Sequence, residues 1–439
     1  MASESTPPPF TTLGIVGTGA MGRGIAQLAA QAGLDVMLYD VKEGAVHEAK
    51  AFINGLWQRS VEKQRITAEQ AQHYSKRLIE ARELAALDPC DIVVEAIVEK
   101  LEAKQGLFSD LEAILSQQAV LATNTSSLSV TAIAAACQHP ERVIGFHFFN
   151  PVPLMKIAEV IPGLRTTDEV TQRVNALGQA MGHFTAQATD TPGFLVNHAG
   201  RAFGTEALRL LGESVADPAT IDRIMVDQGG FRMGPFTLLD LTGLDVSHAV
   251  MESVYHQYYE EARFRPSPLT RQRLAAGLLG RKTGEGFYRY VEGKQQMPDE
   301  PAIATVSPCP VWISQDDPES AKALTALVTA AGWSLETGTQ PTEQALCLLT
   351  PFGEDATSCS LRQGLDAKQC VAVDMLAGLD KRRSLMATPI TRSAFIQAAQ
   401  SLLNQDGTPV STLQDSNGFV LQRIIACIVN VGADIAQQG

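Results

Sequence analysis

The sequence has no CxxC pair, no basic-then-apolar leader and no run of 18 apolar residues. Its cysteines are scattered and odd in number, which argues against a disulfide framework or a structural zinc site and favours a reducing compartment. A net charge of -13 argues against a nucleic-acid partner and an anionic membrane surface, although a local basic patch can still bind an anionic substrate. We therefore expect a cytoplasmic protein with no nucleic-acid, membrane or metal partner.

The first part of the chain alternates between strand and helix patterns. After a tail predicted to be disordered at residues 1–10, the predicted strands are LGIVG, LDVMLYD, CDIVVEAI, AVLATN and RVIGFHFF. This alternation predicts a parallel, doubly wound, Rossmann-like sheet over residues 11–190. After the second strand we predict a long polar helical stretch to about Leu87, with a capping box at Thr67 and Gln70.

Three further segments follow, so the fold class is α/β plus all-α. Residues 191–293 have helical periodicity from TPGFLVN onward, which predicts a helical domain. Residues 294–414 resemble a small α/β module without a phosphate loop, and because no histidine follows His256 we expect this module to be dispensable for chemistry. At residues 415–439, DSNGFVLQ echoes the earlier DTPGFLVN, with Gln422 in place of Asn197. This echo predicts the start of a second helical repeat, either cut short or decayed.

The motif GTGAMG, at residues 17–22, predicts a dinucleotide site because it follows a strand and opens a helix. Gly17 permits the tight turn, Gly19 lets the backbone approach a pyrophosphate, and Gly22 lets helix and strand pack closely. Asp40 ends the next strand, where its carboxylate can accept hydrogen bonds from ribose hydroxyls and would repel a 2′-phosphate. The expected cofactor is therefore NAD and not NADP.

The stretch HFFNPVPLMKIAE, at residues 147–159, is the second candidate site. Alone, His147 fits a satisfied core histidine better than a catalytic group. However, it ends one predicted strand and TNTSS, residues 123–127, ends another, so both should lie at the ligand-binding edge of the sheet. The alternation in KIAEV predicts a strand that folds back and brings Glu159 to the imidazole. A carboxylate there would fix the tautomer and leave the other ring nitrogen to take a proton.

Seven motifs taken together resemble the L-3-hydroxyacyl-CoA dehydrogenase family over about residues 10–290. In chain order they are GTGAMG, VVEAIVEKLEAK, TNTSS, GFHFFNPVPLMKIAEV, DTPGFLVN, MGPFTLLDLTGLD and GRKTGEGFYRY. The later region resembles the C-terminal half of the longer bacterial members that act on 3-hydroxybutyryl-CoA or 3-hydroxyadipyl-CoA in phenylacetate degradation, with an incomplete second helical domain. The resemblance implies NAD-dependent oxidation of a 3-hydroxyacyl-CoA thioester by a homodimer.

The resemblance also assigns roles to individual residues. It implies that His147 is the catalytic base, Glu159 its orienter, Ser126 the contact to the substrate hydroxyl and the nicotinamide side, and Asn197 a substrate contact. The full set expected to bind the cofactor is Gly17, Gly19, Ala20, Met21, Gly22, Asp40, Glu99, Lys104, Ser126, Asn150 and Lys282. Without the resemblance, Glu99 and Lys104 also fit a solvated helix start, and Lys282 a plain surface loop.

Three other functions fit parts of this pattern. A dehydrogenase of free β-hydroxyacids uses a lysine as proton donor in a similar fold, and the HFFNPVP stretch and Asn197 argue against it. A non-catalytic NAD-binding relative, such as a lens-type structural protein, is disfavoured because Ser126, His147, Glu159 and Asn197 are all present. A fragment of a multifunctional β-oxidation protein is disfavoured because no hydratase-like segment precedes residue 10.

Overall fold

The computed structural model describes residues 9–438, which form two compact units that divide between His198 and Ala199. This division lies eight residues beyond the boundary expected at residue 190, and the finer domain boundaries stay predictions. Residues 1–8 of the expected tail lie outside the described residues. At its other end the tail prediction is wrong, because Phe10 is only 2% exposed and belongs to the core of the first unit. The Arg173 guanidinium lies 4.5 Å from the centre of the Phe10 ring.

The first unit is built on an eight-stranded sheet. Its strands are β1 Thr12–Val16, β2 Asp35–Tyr39, β3 Leu78–Glu80, β4 Ile92–Glu95, β5 Val120–Thr123, β6 Val143–Phe148, β7 Ile157–Pro162 and β8 Phe184–Gln187. They lie in the order β3-β2-β1-β4-β5-β6-β7-β8. Neighbours from β3 to β6 are parallel, β7 is antiparallel to β6, and β8 is parallel to β7. The predicted doubly wound sheet is confirmed, and its order reverses at β1 and β4, where such sheets bind ligands.

Helices cover this sheet. They are α1 Ala20–Gln31, α2 Ala45–Glu62, α3 Ala68–Lys76, α4 Leu101–Ile114, α5 Val130–Ala134, α6 Asp168–Ala180 and α7 Val196–Ala199. The predicted capping box at the start of α3 is confirmed: the Gln70 N–H donates to Thr67 Oγ1 at 3.1 Å, and the Thr67 N–H donates to Gln70 Oε1 at 2.8 Å.

The predicted helical stretch to Leu87 is wrong at residues 78–80. These residues form the edge strand β3 beside β2, with Leu78 only 3% exposed. Strand β8 was not predicted either. Both strands are short and mostly polar or half-exposed, so their sequences lack the apolar alternation that indicates a strand.

The second unit begins with the helical segment and continues into another sheet. The first elements are α8 Arg201–Gly212, α9 Pro218–Arg223, a π-helical turn Ile224–Gln228, α10 Pro235–Thr242, α11 Leu244–Gln257, α12 Pro268–Ala275, β9 Arg289–Val291 and β10 Lys294–Gln296. The remaining elements are β11 Val311–Ile313, α13 Pro318–Ala330, β12 Leu335–Glu336, β13 Leu346–Leu349, α14 Ala356–Arg362, β14 Cys370–Val373, β15 Arg383–Ala387, α15 Ser393–Leu403, β16 Val410–Leu413 and α16 Val420–Gln438.

The second sheet has the order β12-β11-β13-β14-β15-β16, with β15 antiparallel to β14 and the other pairs parallel. The strands β15 and β16 were not predicted from sequence. One hydrophobic cluster joins Phe236 and Leu239 of the helical segment to Cys347, Leu349 and Ala372 of the sheet. Because the two parts share this core, the α/β module is not a separate compact unit.

The predicted internal repeat has a structural counterpart in the way two aspartates hold helices. The Asp190 carboxylate accepts the backbone N–H groups of Val130 and Thr131, at the start of α5. The Asp415 carboxylate accepts the N–H groups of Ala356 and Thr357, at the start of α14. In both modules the aspartate follows the last strand and holds the helix that comes after an inner strand.

The strand registers extend this correspondence to the position of His147. Thr123 pairs with Gly145 in the first sheet, and Leu349 pairs with Ala372 in the second. Counting two residues onward places Asp374 at the position of His147. The carboxylate of Asp374 is fully buried and accepts a hydrogen bond from Gln422 Nε2 at 2.9 Å. The last four strands of the second sheet therefore repeat the pairing pattern of the last four strands of the first, with a different group at this edge.

Among the described residues one helix, α16, is long and apolar enough to cross a membrane by length and composition, with a mean hydropathy of 1.3 over Val420–Gln437. A single such helix is weak support for a membrane span, since core helices of soluble proteins pass the same test. Arg423 on this helix forms ion pairs with Glu206 at 2.7 Å and with Glu213 at 2.5 Å, within the same unit.

The shared core of the second unit predicts that its helical segment and its sheet unfold together. Phe419 is fully buried in this core, so Phe419→Ala should lower the free energy of unfolding by about 3–5 kcal/mol. Val429→Ala is the matched control on α16, because Val429 is 64% exposed and its loss should change stability by less than about 0.5 kcal/mol. Denaturant titration with hydrogen exchange measures both. Loss of protection in the sheet alone would contradict a common core.

Candidate active site

The pairing of β6 with β7 places His147 directly opposite Glu159. Side chains opposite each other in antiparallel strands share one face of the sheet, which explains why two residues twelve positions apart meet. His147 Nδ1 lies 2.6 Å from Glu159 Oε2, and the two residues are 4% and 0% exposed. The predicted return strand and its carboxylate–imidazole contact are both confirmed. In the tautomer in which the Nδ1–H donates a hydrogen bond to this carboxylate, Nε2 is the unprotonated ring nitrogen.

The second oxygen of Glu159 holds a different segment. Oε1 accepts the backbone N–H groups of Leu195 and Val196 at 2.9 and 2.7 Å. These residues lead directly into α7, which carries Asn197, and Asn197 Nδ2 donates to the Ser126 carbonyl oxygen at 3.4 Å. One buried carboxylate thus fixes both the imidazole and the start of the helix with the predicted substrate asparagine.

The serine-containing loop, residues 124–127, lies beside the end of β6, as expected for neighbouring parallel strands. Asn124 Oδ1 accepts the Phe148 N–H at 2.9 Å, which ties the loop to the residue after His147. Ser126 is half-buried on this loop. The structure therefore brings four predicted catalytic residues, Ser126, His147, Glu159 and Asn197, to one edge of the first sheet.

Asp190 was not identified as a site residue from the sequence. Besides the α5 amides, its carboxylate accepts the Ser129 hydroxyl at 2.8 Å. It therefore fastens DTPGFLVN to the segment that follows the serine loop. The signal was present in the motif itself, because aspartate is a good acceptor for the free N–H groups at a helix start.

The glycine-rich turn has the geometry that a pyrophosphate requires. Gly17 has φ of +93°, which is the left-handed region, and a Cβ on Gly22 would lie 1.9 Å from the Gly17 carbonyl oxygen. A Cβ on Gly19 would meet no protein atom within 4 Å, so the backbone there faces open space. Ala20 and Met21 begin α1, which has no side-chain cap. Their N–H groups can therefore bind a phosphate, and the turn fits the NAD pyrophosphate.

Asp40, at the end of β2, is held by the same turn. Its Oδ2 accepts the Thr18 N–H at 2.7 Å and the Thr18 hydroxyl at 3.0 Å, and Oδ1 accepts the Lys42 N–H at 2.9 Å. Burial raises the pKa of Asp40, but these hydrogen bonds outweigh burial and the net pKa is lowered. The carboxylate is therefore an oriented anion that fits ribose hydroxyls and opposes a 2′-phosphate.

The other predicted cofactor residues fall into different surroundings. Glu99 and Lys104 lie beneath the serine loop and bind each other, with 3.1 Å between Lys104 Nζ and Glu99 Oε2. Asn150 is exposed just beyond the end of β6. Lys282 belongs to the second unit, where its ammonium pairs with Asp245. The cofactor roles of these four residues stay predictions.

Among residues 9–438, no group of three or more His, Cys, Asp or Glu side chains has the geometry to hold a metal ion.

The buried Glu95, at the end of β4, was missed from the sequence. It accepts the Lys104 ammonium and the Thr123 hydroxyl at 2.6 and 2.7 Å, and it is fully buried. In the sequence Glu95 resembles an ordinary surface carboxylate at a strand end, because its partner Lys104 lies nine positions further along the chain.

The fold and this edge of the sheet define a nicotinamide-dependent dehydrogenase with a histidine–glutamate pair. Residues 12–191 match the NAD-binding domain of 3-hydroxyacyl-CoA dehydrogenase, and residues 193–290 match the C-terminal domain of the same enzymes. The chain belongs to the 3-hydroxyacyl-CoA dehydrogenase family, and NAD is its cofactor.

Individual relatives agree with this assignment. The chain is 35% identical to the 3-hydroxyadipyl-CoA dehydrogenase of Escherichia coli K12, over 98% of this chain and 85% of the relative. It is 42% identical to a probable 3-hydroxybutyryl-CoA dehydrogenase of Deinococcus radiodurans, over 63% of this chain and 99% of the relative. Among solved structures, a 3-hydroxybutyryl-CoA dehydrogenase from Escherichia coli K12 superposes with a TM-score of 0.82 and 33% identity, covering 98% of this chain and 86% of that one.

The environment of Asp40 predicts that cofactor preference depends on this carboxylate. Asp40→Ala should narrow the preference for NAD over NADP, because the anion that repels the 2′-phosphate is gone. In the unmodified enzyme the preference should hold from neutral pH down through mildly acidic pH. The lowered pKa of Asp40 keeps the carboxylate ionised there, and its contribution is lost only as pH falls through that value. The ratio of kcat/KM for the two cofactors measures this; equal use by the unmodified enzyme would refute it.

Proposed function

We propose that the chain oxidises the 3-hydroxyl of 3-hydroxybutyryl-CoA or 3-hydroxyadipyl-CoA, with His147 as the proton acceptor, and that it catalyses the reverse reduction. The observation that carries this proposal is the buried contact between His147 Nδ1 and Glu159 Oε2 at 2.6 Å. The names of the Escherichia coli relatives support the two candidate acyl groups. We also propose a place in phenylacetate degradation or in a β-oxidation-type sequence, which the family resemblance implies.

His147 Nε2 takes the proton of the 3-hydroxyl while Glu159 keeps Nδ1 protonated and stabilises the positive charge that forms on the ring. NAD, when bound, accepts the hydride from C3. Ser126 binds the reacting oxygen, and Asn197 binds the thioester side of the substrate, so that the reacting atoms are aligned. In the reductive direction the protonated His147 is the acid. Gly17, Gly19, Ala20, Met21, Gly22 and Asp40 would hold the pyrophosphate and ribose of NAD, with further contacts from Glu99, Ser126 and Asn150. For Lys104 and Lys282 only the family resemblance suggests a cofactor contact.

The proposal predicts that His147→Ala lowers kcat by about two to four orders of magnitude, the usual size of a general acid–base contribution. The affinity for NAD should change little, because His147 is assigned to the substrate and not to the cofactor. Glu159→Gln should also be slow, since the imidazole loses its orienting anion. NADH absorbance gives kcat, and NADH fluorescence titration gives the cofactor affinity.

The same assay tests the substrate. A panel of 3-hydroxybutyryl-CoA, 3-hydroxyadipyl-CoA and free 3-hydroxybutyrate should show turnover of a CoA thioester and none of the free acid. Turnover of the free acid alone would favour the alternative β-hydroxyacid dehydrogenase. Near-normal turnover by His147→Ala would show that another group takes the proton, and absence of turnover with every thioester would favour a non-catalytic NAD-binding relative.

We further infer a cytoplasmic homodimer that associates through the helical segment. Leu238 and Leu241 of α10 and Val246 of α11 are 38%, 48% and 53% exposed, which is unusual for large apolar side chains on one short stretch. Sedimentation velocity at micromolar concentration should give a dimer, and Leu241→Lys should weaken it. Val291→Lys, at an exposed position on β9, is the matched control and should leave the dimer intact. A monomeric unmodified chain would refute the inference.

A further inference from the structure

Three linked charges, of which Lys104 and Glu95 are buried, lie beneath the serine loop. Lys104, on α4, is 1% exposed, and its ammonium lies 2.6 Å from Glu95 Oε1 and 3.1 Å from Glu99 Oε2. Glu95 is fully buried and is held by the Thr123 hydroxyl and the Ile97 N–H, both at 2.7 Å. Lys104 is therefore the cation that both carboxylates contact, and it has almost no surface left for a ligand.

Glu99 uses its two oxygens for different partners. Oε2 binds Lys104, whereas Oε1 accepts hydrogen bonds from the loop. The donors to Oε1 are the Thr125 hydroxyl at 2.6 Å, the Ser126 N–H at 2.9 Å, the Ser127 hydroxyl at 3.0 Å and the Ser127 N–H at 3.1 Å. The Ser126 hydroxyl is at 3.5 Å from the same oxygen. The backbone on both sides of Ser126 is thus fixed by one carboxylate oxygen.

This arrangement requires Glu99 to be ionised, because an ionised carboxylate only accepts hydrogen bonds and a protonated one also donates. Burial raises the pKa of Glu99, but the charge of Lys104 and the loop hydrogen bonds outweigh burial and lower it. Without the ammonium, Glu95 and Glu99 would be two neighbouring carboxylates with no cation between them. Like charges at such a site favour protonation of one carboxylate, and a protonated Glu99 would hold the loop less well.

We propose that Lys104 is a positioning residue for the serine loop: it acts on Ser126 through Glu99 and does not bind the cofactor. This proposal rests on the role proposed above for Ser126 in holding the reacting oxygen. It replaces the NAD contact that the family resemblance suggests for Lys104. The two roles differ in what the enzyme loses when the charge is removed, since a cofactor contact affects NAD affinity and a loop anchor affects turnover.

The test is Lys104→Met, which keeps an unbranched side chain and removes the charge, in the full-length enzyme. We expect kcat at saturating NAD and acyl-CoA to fall about 10- to 100-fold, the cost of a displaced catalytic group. The dissociation constant for NAD should change by less than about threefold, well under the tenfold change that a loss of 1.4 kcal/mol represents. Amide hydrogen exchange in a peptide that spans residues 124–127 should become faster, because Glu99 no longer holds the Ser126 and Ser127 amides.

Lys100→Met is the matched control, since Lys100 is exposed at the start of the same helix and should leave all three readouts unchanged. A tenfold or larger loss of NAD affinity with unchanged kcat would overturn the proposal in favour of a cofactor contact. Unchanged kcat together with unchanged exchange would also overturn it.

If Lys104→Met does not fold, Lys104→Gln is measured by the same criteria, because it removes the ammonium, keeps both carboxylates and leaves a polar side chain in the buried position. The unmodified enzyme separates this idea from the proposed function. Failure of the unmodified chain to oxidise any 3-hydroxyacyl-CoA would overturn both, whereas normal turnover by the unmodified chain and by Lys104→Met would overturn the positioning role alone.

Discussion

The antiparallel pairing of β6 with β7 is the constraint on which the catalytic edge depends. It sets His147 against Glu159, and Glu159 in turn holds the two amides before Asn197. A shift of this register by one residue would turn both side chains to the opposite face of the sheet. The reaction centre is therefore fixed by backbone pairing first and by side-chain contacts second.

Carboxylates that accept backbone N–H groups recur in this chain. Glu99 and Asp190 organise the serine loop and the helix after it, and Asp240 accepts the Phe287 and Tyr288 amides in the second unit. Burial of Asp240 raises its pKa even so. Some of the carboxylates that make the net charge negative therefore hold loops and helices in place. Net charge alone does not reveal this, since it says nothing about where the carboxylates lie.

Much of the fold, and the contact between His147 and Glu159, could be predicted from the sequence. The apolar strands, the glycine-rich turn and the return strand with Glu159 each have a local pattern that determines their structure. Strands β3 and β8 could not be predicted, because their pairing with a neighbour, and not their own alternation, makes them strands. The same limit applies to Glu95, whose role depends on Lys104, nine residues away, and on Thr123, 28 residues away. Long-range contacts of this kind leave no periodic signal.

The correspondence between the two sheets separates the requirements of folding from those of catalysis. Asp190 and Asp415 hold equivalent helices, and Phe194 and Phe419, which follow them, are both buried. At the position of His147, however, the second sheet has Asp374, and at that of Asn197 it has Gln422. The molecule therefore contains its own comparison: the residues that both halves retain are the ones needed to build this architecture. Those found only in the first half include His147 and Asn197, to which the proposed reaction assigns the proton transfer and the thioester contact.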